Sequence, residues 1–489
     1  MFILYSFGMR YDGRDDYEEY YDDYDAYEEY EEPQPYFLTA RDLIFFCLAF
    51  MTPTAATVLY GTAQPAAHGT LSGSYIVALV IALLTILSYR RLGRAFPEGG
   101  SVLTYVGYGI HFRAGYYAGW TALFFYIVAA SSFFMIGADA AAALFDPIPR
   151  IFWLILIAAV SGIVVIFGQR LSALALTVIV LGVIGITAIY ILVCFMSADK
   201  LADANAAAAT AAADATGGEG GSFGLGPLMS GAALACLAFL GFDSVTTLSI
   251  DAANPKRDTG KAMAVACLCA AALFFFQAMA SSAIIPDYTQ LDPQSAVSGI
   301  ALMAGGPTLH NMVSLATILS AFGVGIAATT AGSRMLRILR EEFSPSGGEG
   351  AHGADGGSIS SIFPQTGTSP INVVACLAAA LVIALIMPEG ASGLAFDLAR
   401  FAGMICFMTV NASALIFFWF KRHDHVYVRS IIIPAAGFLF SLWSWINIDP
   451  SAFGIGVIFA LVGVIIVAAS FLYERLVLGI GPAPDKGGQ

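Results

Sequence analysis

Two apolar stretches carry groups that apolar sequence normally excludes. Residues 235–247 read Ala-Cys-Leu-Ala-Phe-Leu-Gly-Phe-Asp-Ser-Val-Thr-Thr, which places Gly241 and Asp243 together in the middle of a hydrophobic run. A charge at the centre of a bilayer costs roughly 3 kcal/mol or more unless it is paired or hydrated, so Asp243 is a candidate contact for a substrate or an ion. A structural role is compatible with this, because Asp243 would also accept backbone N–H groups at the start of a half-helix beginning at Ser244. Residues 51–61 read Met-Thr-Pro-Thr-Ala-Ala-Thr-Val-Leu-Tyr-Gly. Pro53 removes a backbone donor there, which predicts a kink or a break. An unwound helix offers carbonyls to an ammonium group, and the N-terminus of its second half offers N–H groups to a carboxylate. The candidate binding residues are Thr54, Ala55, Ala56 and Thr57 in one stretch and Phe239, Gly241, Phe242 and Asp243 in the other. Tyr126 joins Phe239 and Phe242 as an aromatic that could gate the site or stack on an ammonium. In a chain with 36 Phe, packing is the commoner role for any single ring.

The elements that position these residues are membrane helices. The chain has 489 residues, 58% hydrophobic and 12% charged, where soluble domains carry about a quarter charged residues. That composition excludes an ordinary soluble enzyme, and lipid is the solvent it implies. From residue 37 onward, apolar segments of about 20 residues follow one another, each long enough to cross the hydrocarbon as helix. They fall near 38–64, 71–89, 112–144, 151–168, 172–197, 229–249, 262–285, 311–332, 371–388, 397–420, 430–448 and 453–474, twelve in all. The two interrupted spans are the first and the sixth. Five spans apart is where corresponding elements of a five-plus-five repeat fall, and discontinuous helices at matching places of two halves point to a transporter's midplane site.

Charge orders the rest. Residues 1–35 hold twelve acids and two bases, so about −10 of the net charge of −13 lies in a Tyr-rich tail with no apolar face. Residues 1–36 are expected to be a disordered cytoplasmic tail. Met1 to Gly8 are too short for a signal sequence. With that tail inside, 19 of the 22 Lys and Arg fall on the cytoplasmic side, a positive-inside bias that puts both termini there. The transporter domain is expected over 37–475 in the cell (cytoplasmic) membrane, followed by a short cytoplasmic tail over 476–489. The Ala/Gly-rich loop 198–228 and the Gly/Ser-rich loop 343–367 read as linkers. Seven Cys sit in apolar runs as small hydrophobes, without metal-ligand spacing. Gly220-Gly221-Ser222-Phe223-Gly224 and Gly323-x-Gly325 lack the strand–helix setting of a nucleophile elbow or a dinucleotide loop. No cofactor, metal, nucleic acid or enzymatic activity is expected.

Longer motifs now become recognisable. Tyr89-Arg90-Arg91-Leu92-Gly93-Arg94-Ala95-Phe96-Pro97-Glu98-Gly99-Gly100-Ser101, with Thr104-Tyr105 and Gly115 to Trp120, resembles the loop between helices two and three of the amino acid, polyamine and organocation (APC) permeases. Phe239 to Thr247 with Asn254-Pro255-Lys256-Arg257 resembles the sixth helix and exit loop of that family. Ser333-Arg334-Met335-Leu336, Ser369-Pro370 and Val410-Asn411 match as well. The resemblance implies an all-α, LeuT-like fold of ten helices in two inverted repeats, with two additional C-terminal helices. It also implies import of an amino acid or organic amine by alternating access, with a proton preferred over sodium as coupling ion. Within the family the motifs look nearest to bacterial putrescine importers. Those tend to carry carboxylates in the first unwound region and in helix three, at places that match Val58 and Phe125 here. No acid lies between Asp42 and Glu98, so a dication would find little compensation for its desolvation. An amino acid or amine is the leading substrate and putrescine the second.

Some relatives place a Lys in helix five, whereas residues 171–196 hold no ionisable side chain besides Tyr190 and Cys194. Uncoupled exchange is therefore an alternative to proton symport, and a transport-inactive sensor or a channel is the alternative of a different class. Asp243 and Glu98 are the acidic candidates for coupling, although Glu98 reads equally well as a solvated loop charge. Thr329 and Thr330, with Ser333 and Ala55, stand where a sodium site would form, but helical Thr and Ser usually bond their own backbone. Asp139 reads as an interface-facing carboxylate, and Asp397 and Arg400, three apart, as a self-neutralised pair. The protein is expected to act as a monomer or dimer.

Overall fold

A computed structural model describes residues 38–97, 101–198, 224–285, 287–290, 295–342 and 369–476. The acidic tail, most of both linkers, the end of the chain and Glu98 lie outside these residues. Helix dominates because a backbone in lipid must satisfy its own hydrogen bonds. The first span is two helices, α1 (Ala40–Met51) and α2 (Ala55–Ala66), bent by 40° at their junction. Then follow α3 (Leu71–Ala95), a short α4 (Val102–Gly109), α5 (Phe112–Leu144), α6 (Arg150–Ile166) and α7 (Gln169–Ala198). The sixth span is α8 (Leu225–Ala235) with two 3-10 segments, Cys236–Phe239 and Phe242–Asp251. The second half holds α9 (Pro255–Ile284), α10 (Ala296–Glu342), α11 (Pro370–Ile386), α12 (Ser392–Leu415), α13 (Ile433–Ile446) and α14 (Pro450–Leu476). Helical elements thus cover all twelve predicted segments. Among the described residues, eight helices are long and apolar enough to cross a membrane, the bent pair makes a ninth span, and three shorter apolar helices stand at the remaining places.

Two boundaries differ from the sequence reading. The eighth segment begins well before 311, because α10 runs from Ala296 through a kink at Gly306 (φ 66°, ψ −162°), where Pro307 cannot continue the ladder. The sixth span continues past its break as a ten-residue 3-10 helix rather than an α-helix.

α5 is the axis of the bundle. Its 33 residues, about 50 Å long at 1.5 Å per residue, pack along α10, α12 and α6. Small residues set its closest approaches: a Cβ on Gly137 would meet that of Ala321 on α10 at 2.3 Å. Leu174 and Val178 of α7 and Ile151 and Ile163 of α6 are exposed, forming an apolar periphery suited to lipid. Six of the seven Cys are buried, and Cys269 is exposed.

Most charges that remain inside are paired, Asp243 excepted. Asp139 meets Arg150, so it joins α5 to α6 rather than standing alone at the interface. Arg400 is 1% exposed and bonds Asp397 at 3.3 Å, as its spacing predicts, and also donates to the carbonyls of Asn447 (2.8 Å) and Ala233 (3.3 Å). Arg400→Met would leave these acceptors unpaired and is expected to cost about 2–4 kcal/mol, read as a lowered melting temperature of the purified protein. Beyond the end of α12, Asp424 pairs with Arg91 (2.8 Å) and Arg429 (3.4 Å), while the Arg91 guanidinium lies 3.7 Å over the Phe418 ring. Partial burial opposes ionisation of Asp424, but the Val426 N–H and the Arg429 and Arg91 guanidiniums outweigh it and hold the carboxyl below its usual range.

Candidate functional site

The break in the first span is built by Thr52-Pro53-Thr54. Thr52 takes φ 46°, rare for a β-branched residue, and Pro53 supplies no donor. Polar groups from other spans hold the exposed backbone. Gln277 Nε2 of α9 donates to the Pro53 carbonyl at 2.8 Å, and Thr54 Oγ1 donates to Ser320 Oγ of α10 at 2.8 Å. Thr57 Oγ1 donates to the Thr54 carbonyl at 2.7 Å. Ala56 and Thr57 stand in the first turn of α2, where backbone N–H groups lack intrahelical acceptors.

The break in the sixth span turns on Gly241, whose φ of 102° is a left-handed conformation that an L side chain resists. The Phe50 ring of α1 packs directly on it: a Cβ at Gly241 would lie 2.0 Å from Phe50 Cδ1. The hydroxyls of Ser244, Thr246 and Thr247 each donate to the carbonyl three residues earlier, at 2.6–2.7 Å, matching the tighter 3-10 winding. The N-terminal cap of this segment is Gly241, without a side-chain bond, so Asp243 does not cap a half-helix beginning at Ser244. Instead Asp243 is 1% exposed, accepts from the Tyr89 hydroxyl at 3.3 Å through Oδ2, and leaves Oδ1 without a hydrogen-bond partner. Among the described residues it makes no ion pair.

Between the two breaks lies a small cavity of about 30 Å³. The first span contributes Phe50 and Met51 before its break and Ala55, Val58 and Leu59 after it. The sixth contributes Leu237, Ala238 and Leu240, α5 contributes Phe125, Ala129 and Phe133, and α12 contributes Phe396 and Ala399. Of the predicted binding residues, Ala55 lines this cavity, and Val58 and Phe125, singled out by the resemblance, line it too. Thr54, Ala56 and Thr57 stand at the break but outside the lining, and Tyr126 meets the Phe50 ring edge-on at 5.9 Å. Phe239 packs on Phe274, and Phe242 packs on Tyr89 and Phe407; neither lines the cavity. Thr330 Oγ1 bonds the Ile326 carbonyl (2.7 Å) and Ser333 Oγ the Thr330 carbonyl (3.0 Å), both within α10; Thr329 is buried beside them.

Sequence reasoning missed Gln277 and Ser320, the polar clamps on the first break. Gln277 stands alone in an apolar run, Phe-Phe-Phe-Gln-Ala, and Ser320 follows Ser314 and Thr317 at intervals of three, which was the available signal. It also missed the α5 wall, legible as Phe125, Ala129 and Phe133 at intervals of four.

A second polar cluster joins the start of the first span to the end of the sixth. Leu38 N–H donates to the Asp251 carbonyl (3.3 Å), and Ala253 N–H donates to the Leu38 carbonyl (3.1 Å). Asp251 pairs with Arg334 of α10 at 2.5 Å and accepts from Gln169 of α7 at 3.0 Å, while Arg334 also donates to the Thr247 carbonyl at 2.8 Å. Four spans are thereby tied together at one end of the bundle.

Comparisons with known proteins agree with this architecture. The model of a family described as "Amino acid permease" matches residues 43–480. The low-affinity putrescine importer PlaP, from Escherichia coli K12 and from Escherichia coli O157:H7, is 24% identical over 443 residues, covering 88% of this chain and 92% of the relative. A solved structure of MHP1, a nucleobase-cation-symport-1 family transporter in a closed conformation with bromovinylhydantoin bound, superposes with a TM-score of 0.51 at 11% identity, over 88% of this chain and 93% of that one. The fold is thus LeuT-like and the chain is a secondary transporter, not an enzyme. Matched over nearly all of its hydrophobic length, this chain belongs to the amino acid permease family.

Proposed function

We propose that the protein imports an amino acid or organic amine across the cytoplasmic membrane by alternating access, with a proton as the coupling ion. The observation that carries this reading is that both predicted interruptions are real breaks and face one cavity together with α5 and α12. Asp243 is the residue we assign to the proton: it is buried beside the break, has no cationic partner among the described residues, and retains one free oxygen next to the Tyr89 hydroxyl. The putrescine importer among the relatives supports an amine-bearing substrate. Reconstituted in proteoliposomes, the protein is expected to accumulate at least one amino acid or amine when the outside is acid, and a protonophore should abolish that accumulation. Failure to accumulate any member of a broad panel would sink the proposal.

With both termini cytoplasmic, the cluster of Leu38, Asp251, Gln169 and Arg334 is the inner closure. Cys47 reports on it, since this buried thiol lies 3.5 Å from the Phe242 carbonyl, between the first and sixth spans. Arg334→Ala removes the cation that holds Asp251 and the Thr247 carbonyl. Labelling of Cys47 by a membrane-permeant thiol reagent, read by peptide mass spectrometry, should rise about tenfold or more in that variant. Labelling equal to wild type would show that the cluster does not hold the closure.

A further inference from the structure

We infer that the substrate presents an apolar group to the cavity and carries a single ammonium, so that this transporter selects a branched-aliphatic or aromatic amino acid, or the corresponding monoamine, against diamines and basic amino acids. The inference rests on the transporter reading and adds the class of substrate.

Its basis is the chemistry of the cavity wall. Phe50, Val58, Phe125, Phe133 and Phe396 enclose the space, and no side chain lining it carries a nitrogen or oxygen. Of the polar groups nearest in sequence to the wall, the neutral hydroxyls of Tyr60 and Tyr126 are buried without a hydrogen-bond partner but lie outside the lining, and Thr54 and Gln277 are engaged. Thr54 is bonded to Ser320, and Gln277 to the Pro53 carbonyl. Asp243 follows Gly241, which Phe50 covers directly, and it meets Tyr89 rather than the cavity. A second ammonium, as in a diamine or a lysine side chain, would be stripped of water with no lining side chain to receive it, which is strongly unfavourable. An alkyl or aryl group held against the same wall gains from leaving water, once the spans part to widen the roughly one-water space between them. The first ammonium is assigned to the backbone of the two breaks, since an unwound helix offers carbonyls to a cation. Size is set by the small residues of the wall, Ala129 on α5 and Ala399 on α12, because each methylene added there removes space from the substrate's apolar group.

Purified full-length protein would be tested by thermal shift and, in proteoliposomes, by competition for uptake. The ligands are leucine, phenylalanine, isoamylamine, phenethylamine, lysine, ornithine and putrescine, the first four separating amino acid from monoamine. At least one of those four should compete about 100-fold better than putrescine, lysine or ornithine. Ala399→Leu should shift preference toward smaller apolar groups by about tenfold. Should that variant fail to give a monodisperse protein, Ala129→Val makes the same test from the opposite wall. Putrescine or lysine competing as well as leucine or phenylalanine would overturn the inference while leaving a working transporter. Unchanged size preference in a well-folded cavity variant would also overturn it. Absence of binding and uptake for every ligand would overturn the transporter reading and this inference with it.

Discussion

Gly241→Ala should yield a protein that melts several degrees lower and transports little or nothing. Two independent costs meet at this position. An L side chain at φ 102° leaves the allowed region, at about 1–2 kcal/mol, and the new Cβ would enter the Phe50 ring at 2.0 Å, which forces the ring or the backbone to move for about 1–3 kcal/mol more. Phe50 also stacks on Phe125 with centroids 5.5 Å apart, so its displacement reaches the cavity wall. Thermal melting measures the stability loss, and uptake in proteoliposomes measures the transport loss. A control is Gly182→Ala in α7, where an added Cβ meets nothing within 4 Å and helix propensity improves. Adding Phe50→Ala to Gly241→Ala should restore part of the stability by removing the clash, leaving the conformational cost. Near-wild-type melting of Gly241→Ala would mean that the turn is not held as described.

Asp243→Asn is expected to lower concentrative uptake by about tenfold to a hundredfold, with melting within a few degrees of wild type. The amide has the same shape and can still accept from Tyr89, so packing and the 3.3 Å bond are retained while the exchangeable proton and the charge are lost. Counterflow between preloaded and external substrate should survive, because the cavity wall is apolar and does not include Asp243. The sign of the pH effect follows: acidifying the outside should accelerate wild-type uptake and leave the variant unaffected. Undiminished, pH-sensitive uptake by Asp243→Asn would return Asp243 to a purely positional role and move coupling elsewhere.

The features legible in the sequence are those with a local physical cause. Pro53 inside an apolar run and Gly241 two residues before Asp243 announce breaks because each disfavours continuous helix, and both breaks are present. The spacing of Asp397 and Arg400 announces their pair, because three residues in a helix share a face. What the sequence left open depends on which spans meet. Gln277 and Pro53 are 224 positions apart, and Thr54 and Ser320 are 266 apart, so only the packed bundle shows that polar residues of α9 and α10 clamp the first break. The cluster at Asp251 has the same origin, since Arg334 and Gln169 come from spans distant in sequence. At Asp243 the local rule foresaw a buried carboxylate but not its contact. Its burial fits a functional carboxylate, but the positive φ of Gly241 lets the 3-10 segment begin one residue before it, and its side-chain partner is Tyr89. Phe239 and Phe242, candidates on sequence position, are held by Phe274, Tyr89 and Phe407, as expected for most rings in so aromatic a chain.

The central claim is that substrate and proton move together through the two broken spans, with Asp243 carrying the proton. Its most direct test is the external pH of a weakly buffered suspension of proteoliposomes when an apolar amino acid or monoamine is added, wild type beside Asp243→Asn. Wild type should show alkalinisation outside in step with substrate entry, abolished by a protonophore, and Asp243→Asn should show none. Substrate entry by wild type without any proton movement, or equal alkalinisation by both proteins, would contradict the account.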